Sequence, residues 1–292
     1  MERNRPDFKA CEAITEEIKD LPTLPTVVAR IMATLDDPSS SVKDLERLVS
    51  SDQAIAAKLL KLANSAFYGL PGKVTNLGRA ITLLGYNTVR SMTLTIGMVH
   101  SFGGLLRSKS FNRGKFWEHS LTVAMVGKLL GAKEPSLNSE EVYIAGLLHD
   151  LGKMVLDYLR PAQFREALRI ACEQGISARE AEQSVLGFSH DEVGKVVAEK
   201  WRFPHFVIEA IGYHHCPFNA EVFPLVVQVV SLSDQIVHEF NKQEKENVDY
   251  NLSNIDSELK QRFLPTPRHE EVFLTQFEIE VEKIEDILGL FA

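Results

Sequence analysis

The residues with the clearest capacity for chemistry are histidines and aspartates on five predicted helices in the second half of the chain. Each falls in register with apolar residues of its own helix, which aims it toward the protein interior. His119, for example, is three residues after Phe116 and four before Val123. The whole set comprises His119, His149, Asp150, His190, His214, His215 and Asp234.

Burial of these side chains together favours a metal site. A single histidine on an apolar helix face is more often a core residue hydrogen-bonded to a carbonyl group. A buried carboxylate without a partner, however, costs several kcal/mol. Five helices that each aim a histidine or aspartate inward leave two charges uncompensated unless a cation lies among them. The pattern therefore predicts a site for one or two divalent metal ions.

The ligand types narrow the choice of metal and suggest a chemistry. Imidazoles and carboxylates without thiolates suit Fe first, with Mn, Zn or Ni as alternatives, rather than a structural cysteine-rich zinc site. Asp150 can bridge two ions, which would lower the pKa of a shared water molecule. Lys153 follows Asp150 by one helical turn and is either a phosphate-neutralising group or an exposed lysine at a helix end. Asp150 and Lys153 are thus the catalytic candidates if the protein is an enzyme. The remaining histidines share no register and receive no function: His100, His205, His238 and His269.

The elements that position these residues are predicted to be helices throughout. Apolar residues recur at helical spacing, as in the stripe Val27, Val28, Ile31 and Met32, whereas alternating runs typical of strands are absent from the sequence pattern. Helix starts are indicated by the capping residues Ser41, Asp52, Asn76 and Asn87. The predicted fold class is all-α.

Changes in composition along the chain divide it into three parts. The polar segment RSKSFNRGK separates an N-terminal helical bundle, 20–105, from a second helical subdomain, 106–240, which holds the predicted metal ligands. The sequence becomes polar again from Asn241 and then ends in a helical pattern from Phe273 to Leu290. Residues 241–292 are therefore expected to form a polar loop and a C-terminal helical extension.

Composition excludes several classes of protein. The 292 residues carry 32 Lys and Arg against 40 Asp and Glu, a formal charge of −8, so general attraction to nucleic acid is not expected. A helix-turn-helix DNA reader around Leu83–Asn87 is less favoured than two packed helices joined by a glycine turn. Three cysteines and the lack of signal-peptide or membrane-spanning patterns predict a cytoplasmic protein in a reducing compartment that does not bind membranes.

Two stretches of the sequence resemble known families. His119, the pair His149-Asp150 and Asp234 resemble the H…HD…D pattern of HD-domain metal-dependent phosphohydrolases. The stretch from Leu21 to Leu94 strongly resembles an HDOD domain, an HD-related output domain of bacterial signalling proteins. The resemblance continues through IAGLLHDLGKMVL, FSHDEVGKVVAEKWRFP and IGYHHCPF and covers about residues 20–240.

The resemblance implies an N-terminal helical bundle packed on an HD-type helical core. It also implies a bacterial signal-transduction or regulatory module that acts by binding a protein partner or a small phosphate-bearing ligand. Many HDOD proteins have lost HD ligands, whereas this chain retains them. A metal-dependent phosphohydrolase acting on a nucleotide or phosphodiester therefore remains the alternative.

One group of relatives with hydrolase activity is disfavoured. Lys153 matches the lysine of the HD-x-x-K motif in HD-GYP cyclic-di-GMP phosphodiesterases, but no Gly-Tyr-Pro follows His215. Some of those enzymes bind a third metal through a glutamate four residues before the first histidine, and that position is Lys115 here. The chain is therefore not expected to be a typical HD-GYP enzyme, and two metals are the most that the predicted ligand set supports.

Overall fold

The protein is all-α, as the sequence predicts, with no strand among the residues that can be described. The computed structural model describes residues 21, 26–35, 40–65, 68–70, 72–103, 111–246 and 251–288. The segments 1–20 and 104–110, which include the first four residues of the predicted polar break, lie outside the described residues.

Among the described residues, five helices form the N-terminal bundle, and three of the four predicted caps begin them. Ser41 accepts the backbone N–H of Asp44 in a capping box, Asp52 accepts two N–H groups, and Asn76 accepts one. The prediction for Asn87 is wrong, because the helix begins at Tyr86, directly after Gly85, whose φ of +84° favours glycine. The helices are α1 Thr26–Leu35, α2 Val42–Ser50, α3 Gln53–Ala63, α4 Leu77–Leu84 and α5 Tyr86–Gly103.

A second group of helices forms the core that carries the predicted ligands. Helix α6 packs closely on α7, α13 packs on both, and α11 lies between α8 and α12. Helix α5 of the N-terminal bundle contacts α7, which joins the bundle to this core. The helices are α6 Arg113–Gly131, α7 Ser139–Leu148, α8 Leu151–Leu159, α9 Pro161–Gln174, α10 Ala178–Leu186, α11 His190–Lys200, α12 His205–Tyr213 and α13 Pro224–Glu246.

The C-terminal residues are part of the packed structure. Helices α14 Ser257–Phe263 and α15 Pro267–Leu288 follow α13, which continues as helix past residue 240 to Glu246. Helix α15 lies on α6 and buries Phe273 and Phe277 almost completely. Burial of an aromatic side chain stabilises a fold by about 2 kcal/mol or more, so this helix contributes to the core.

The helix that leads into His149 ends earlier than the sequence predicts. The apolar pattern runs unbroken through Leu148 and Leu151, which predicts one helix that includes Lys153. In the structure α7 ends at Leu148, and α8 begins at Leu151. His149 and Asp150 therefore form the junction between two helices.

Candidate metal centre

The structure brings all seven predicted ligands to one place in the second helical group. They come from α6, the α7–α8 junction, the start of α11, the end of α12 and the middle of α13. Their side-chain nitrogen and oxygen atoms form contacts between 2.9 and 3.8 Å. The sequence separation of these elements means that the fold, rather than a local motif, assembles the cluster.

Asp150 lies at the middle of the cluster. Its Oδ2 atom is 3.4 Å from His149 Nε2 and 3.6 Å from His119 Nε2, while its Oδ1 atom is 3.3 Å from His190 Nε2 and 3.8 Å from His214 Nε2. Each carboxylate oxygen thus faces a different pair of imidazoles. This is the arrangement expected of a carboxylate that bridges two cations.

Three of the imidazoles are oriented by hydrogen bonds from their other ring nitrogen. Nδ1 of His149 donates to the carbonyl of Gly146 (2.7 Å), and Nδ1 of His214 donates to the carbonyl of Ile211 (2.9 Å). Because Nδ1 carries the proton, Nε2 of each ring is left with a lone pair toward the cluster. Both histidines lie in the αR conformation at helix C-caps, where the last carbonyls are free to accept.

His190 is oriented by a carboxylate. It begins α11, where Ser189 and Glu192 form the predicted capping box. Its Nδ1 atom donates to Oε2 of Glu182 at 2.6 Å, and its backbone N–H donates to the same oxygen at 2.8 Å. Glu182 is fully buried, and a carboxylate behind a ligating histidine raises the basicity of the ring.

The side of the cluster toward α13 contains one histidine that the sequence pattern does not include. Asp234 Oδ1 lies 3.0 Å from His119 Nε2 and 3.6 Å from His149 Nε2. His238, one turn later on α13, places Nδ1 at 2.9 Å from the same Asp234 oxygen. On the opposite side, His215 Nε2 lies 2.9 Å from His190 Nε2.

The donor atoms fit divalent cations. Within the described part of the chain, five buried atoms of the cluster make no hydrogen bond of regular geometry, although they lie 3.0–3.8 Å from one another: His119 Nε2, His149 Nε2, Asp150 Oδ1, His214 Nε2 and Asp234 Oδ1. Leaving one buried polar atom unsatisfied costs about 1–3 kcal/mol. Five such atoms that face one another are explained together if they ligate metal.

The charges in the cluster also favour a bound cation. Burial opposes ionisation of Asp150, but Lys153 and His149 outweigh it and hold the pKa of Asp150 well below its usual range. Burial lowers the pKa of His149 too, yet Asp150 beside it raises that pKa to about 10. Burial and the charge of His149 lower the pKa of His214 to about 4. The carboxylates thus favour positive charge between them, and a divalent cation bound at Nε2 of His149 would supply that charge in place of a second ring proton.

Lys153 is part of the cluster, and the reading of it as an exposed lysine is wrong. It lies in the first turn of α8, and its side chain is only 16% exposed. Its ammonium group donates to Asp150 Oδ2 at 2.6 Å. It therefore supplies a fixed positive charge beside the central carboxylate.

A cavity of about 570 Å³ opens beside the cluster. Its lining includes His214, His215 and Asp234, so a molecule in it would contact the metal ligands directly. Arg179 also lines it, held by an ion pair to the buried Asp191. The volume is within the range of small-molecule sites.

Sequence reasoning missed two residues of the site, and for different reasons. Glu182 lies on α10, where alternating charged residues look like a solvated helix face. His238 is spaced by four residues from Asp234, and that spacing is the signal that would have found it.

Known proteins share this fold. The chain aligns over 97% of its length with an HDOD domain protein from Geobacter sulfurreducens, at 25% identity, 96% coverage of that chain and a TM-score of 0.78. A candidate phosphohydrolase from Shewanella amazonensis matches at 21% identity and a TM-score of 0.73, over 96% of this chain and 98% of that one.

No helix in the described ranges is both long and apolar enough to cross a membrane.

Curated relatives are longer than this chain. An uncharacterized protein of Treponema pallidum is 25% identical over 232 residues, which are 78% of this chain and 44% of that protein. Ribonuclease Y of Thermus thermophilus is 28% identical over 188 residues, 64% of this chain and 27% of the enzyme. The family model described as the HDOD domain matches residues 21–217, which include six of the seven predicted ligands. On this match and the shared fold, the chain belongs to the HDOD family.

Proposed function

We propose that this chain is a bacterial regulatory module of the HDOD family that holds a divalent-metal centre and acts by binding a partner protein or a small phosphate-bearing ligand. The observation that carries the proposal is the set of five buried ligand atoms that make no hydrogen bond of regular geometry. His119, His149, Asp150, His190, His214, His215 and Asp234 would hold one or two ions. Because iron is the first expectation, the metal centre is best tested under reducing conditions.

The residues of the chain itself have clear parts in this proposal. Gly146, Ile211 and Glu182 orient three imidazoles so that each presents an unprotonated nitrogen. Lys153 keeps Asp150 ionised and in place. The adjoining cavity gives a ligand access to His214, His215 and Asp234, so that ligand binding there would sense the state of the centre.

Metal content of Asp150→Asn tests the centre. We expect wild-type protein purified without oxygen, or loaded with Fe(II) or Mn(II), to contain at least one tightly bound equivalent by elemental analysis. Asp150→Asn removes the central charge and is expected to lose that metal. Asp157→Asn, at another buried aspartate two turns along α8, is the matched control and should retain it. Less than one equivalent in loaded wild-type protein would contradict the proposal.

A metal-dependent phosphohydrolase is the second candidate, and the position of Lys153 favours it. A bound cation would act as a Lewis acid and lower the pKa of a coordinated water molecule. The Lys153 ammonium, fixed 2.6 Å from Asp150, would stabilise negative charge on a phosphate bound at the metal centre. The ligand class would be a nucleotide or phosphodiester.

Turnover separates the two candidates. The metal-loaded protein would be assayed with nucleotides, cyclic dinucleotides and, because ribonuclease Y is a relative, a short RNA. For the regulatory module, we expect no turnover above that of Asp150→Asn. A phosphohydrolase would instead show turnover that is lost in Asp150→Asn and falls about 100-fold or more in Lys153→Met, with metal content retained in the latter.

A further inference from the structure

The ligand-type atoms of the cluster form three groups in a row. His190, His214 and His215 make the first group, and His119, His149 and Asp150 make the second. His119, Asp234 and His238 make the third. Within each group the ligand atoms all lie within 4.8 Å of one another. Asp150 contacts the first two groups, and Asp234 connects the second with the third through contacts to His149 and His238.

The third group has the geometry of a separate position at one end of the row. Asp234 Oδ1 lies 3.0 Å from His119 Nε2 and 2.9 Å from His238 Nδ1, which also lies 3.0 Å from the backbone carbonyl oxygen of Asp234. A cation at this position would take the place of the proton that His238 Nδ1 otherwise shares with these oxygens. The two imidazole rings meet edge to face, with centroids 4.8 Å apart. Two nitrogens and one oxygen from α6 and α13 are therefore close enough together to bind one cation.

Solvent reaches the third group at His238. The side chain of His149 is fully buried and that of Asp234 is 9% exposed, whereas that of His238 is 61% exposed. Only the middle group has no exposed member, whereas each end of the row has one, His215 in the first group and His238 in the third. Water can therefore complete the coordination of a cation at the outer end of the row, which is the end at His238.

His119 limits how tightly an ion at the outer end is held. Its Nε2 atom faces both the second and third groups, and one imidazole nitrogen ligates one ion at a time. When the second group is filled, the outer ion keeps only Asp234 and His238 as protein ligands. Fewer protein ligands mean weaker binding and faster exchange.

We propose that His238 and Asp234, with His119 beside them, bind an additional divalent cation at the solvent-facing end of the centre. The outer ion is weakly held and exchangeable, so its occupancy follows the concentration of free cation while the inner ions stay bound. This inference rests on the proposed metal centre and adds a third position to it. Lys115 stands where some HD-GYP enzymes have a glutamate ligand for a third metal, so that residue supplies no ligand here. The extra ligand comes from α13, one turn after Asp234.

Manganese titration tests the outer position. Wild-type protein, His238→Ala and His238→Asp would be titrated with Mn(II) alone, with free Mn(II) measured by electron paramagnetic resonance. His269→Ala, at another histidine outside the cluster, is the control. We expect the wild type and the control to bind the tight equivalents and then one weaker equivalent. His238→Ala should lose only the weaker one, and His238→Asp, which keeps a ligand atom, should retain it.

Three results would overturn the inference, and they differ from one another. Identical titrations of the wild type and His238→Ala would show that His238 binds no cation. Weaker binding of the tight equivalents in His238→Ala would show that His238 instead positions Asp234. Absence of any tight equivalent in the wild type would reject the metal centre itself, and the outer position with it.

Discussion

At the scale of single residues, the centre depends on the groups that accept hydrogen bonds from the histidine ligands and orient them. His149 and His214 donate to backbone carbonyls, which no side-chain substitution removes. His190 instead depends on one buried carboxylate, Glu182, which receives both its ring N–H and its backbone N–H. Glu182 is therefore the one residue in the described structure through which the orientation of an imidazole of the centre can be altered without touching a ligand.

Glu182→Gln is expected to weaken metal binding about 10- to 100-fold, because a neutral amide no longer raises the basicity of the His190 ring. Competition with a calibrated chelator would measure the dissociation constant, and circular dichroism would show unchanged helix content. The control is Glu192→Gln, at a buried glutamate on α11 whose carboxylate accepts the backbone N–H of Ser189. Equal affinity in Glu182→Gln and Glu192→Gln would show that Glu182 does not support the centre.

At the scale of elements, most ligands lie where helices end. His149 and His214 are C-caps, and His190 is the first residue of α11. Close contact between α8 and α11 brings two of these ends together, because Gly152 lets its helix approach the backbone of the other. A Cβ atom at Gly152 would lie 1.8 Å from the His190 carbonyl oxygen and 3.0 Å from the Gly194 nitrogen.

Gly152→Ala is expected to destabilise the protein by about 3 kcal/mol or more, since both clashes are with backbone that cannot rotate away. It should also reduce metal content, because α11 carries His190. Thermal unfolding and elemental analysis would measure the two effects. Gly114→Ala, where the nearest atom is a side-chain oxygen at 3.4 Å, should be neutral or slightly stabilising. Equal stability of the two variants would contradict the close contact.

The sequence predicts helices better than it predicts where they stop. The ligands at His119 and Asp234 could be recognised because they interrupt apolar faces within long helices. The break between two helices at His149-Asp150 could not be recognised, since Leu147, Leu148 and Leu151 continue the apolar pattern across it. Glu182 was not recognised because its burial depends on α10 packing against the start of α11, which no local pattern records.

At the scale of the whole molecule, the centre joins helices from α6 to α13 into one unit. Several of those helices share a core with the N-terminal bundle and with α15, while α9 packs with α8 and α11 in a second apolar cluster. Ligands from five places meet at the cluster, so a cation bound there stabilises their association in the folded state only. Metal binding and global stability are therefore linked.

Removal of metal is expected to lower the melting temperature by roughly 10 °C, the value for a ligand present at about a thousand times its dissociation constant in a protein of this size. Differential scanning calorimetry before and after dialysis against a chelator would measure the change. Asp150→Asn, which should lack metal, is expected to show no response to the chelator. An equal fall in both proteins would indicate an effect of the chelator rather than of the centre.

The placement of the ligands on separate helices also sets the speed of metal exchange. In the unfolded chain only His149-Asp150 and His214-His215 are neighbours, so tight binding must wait until α6, α11 and α13 have docked. By the same reasoning, an inner ion is released only when several of its ligands move apart. The rate at which the inner metal dissociates should therefore follow the rate at which this part of the protein opens.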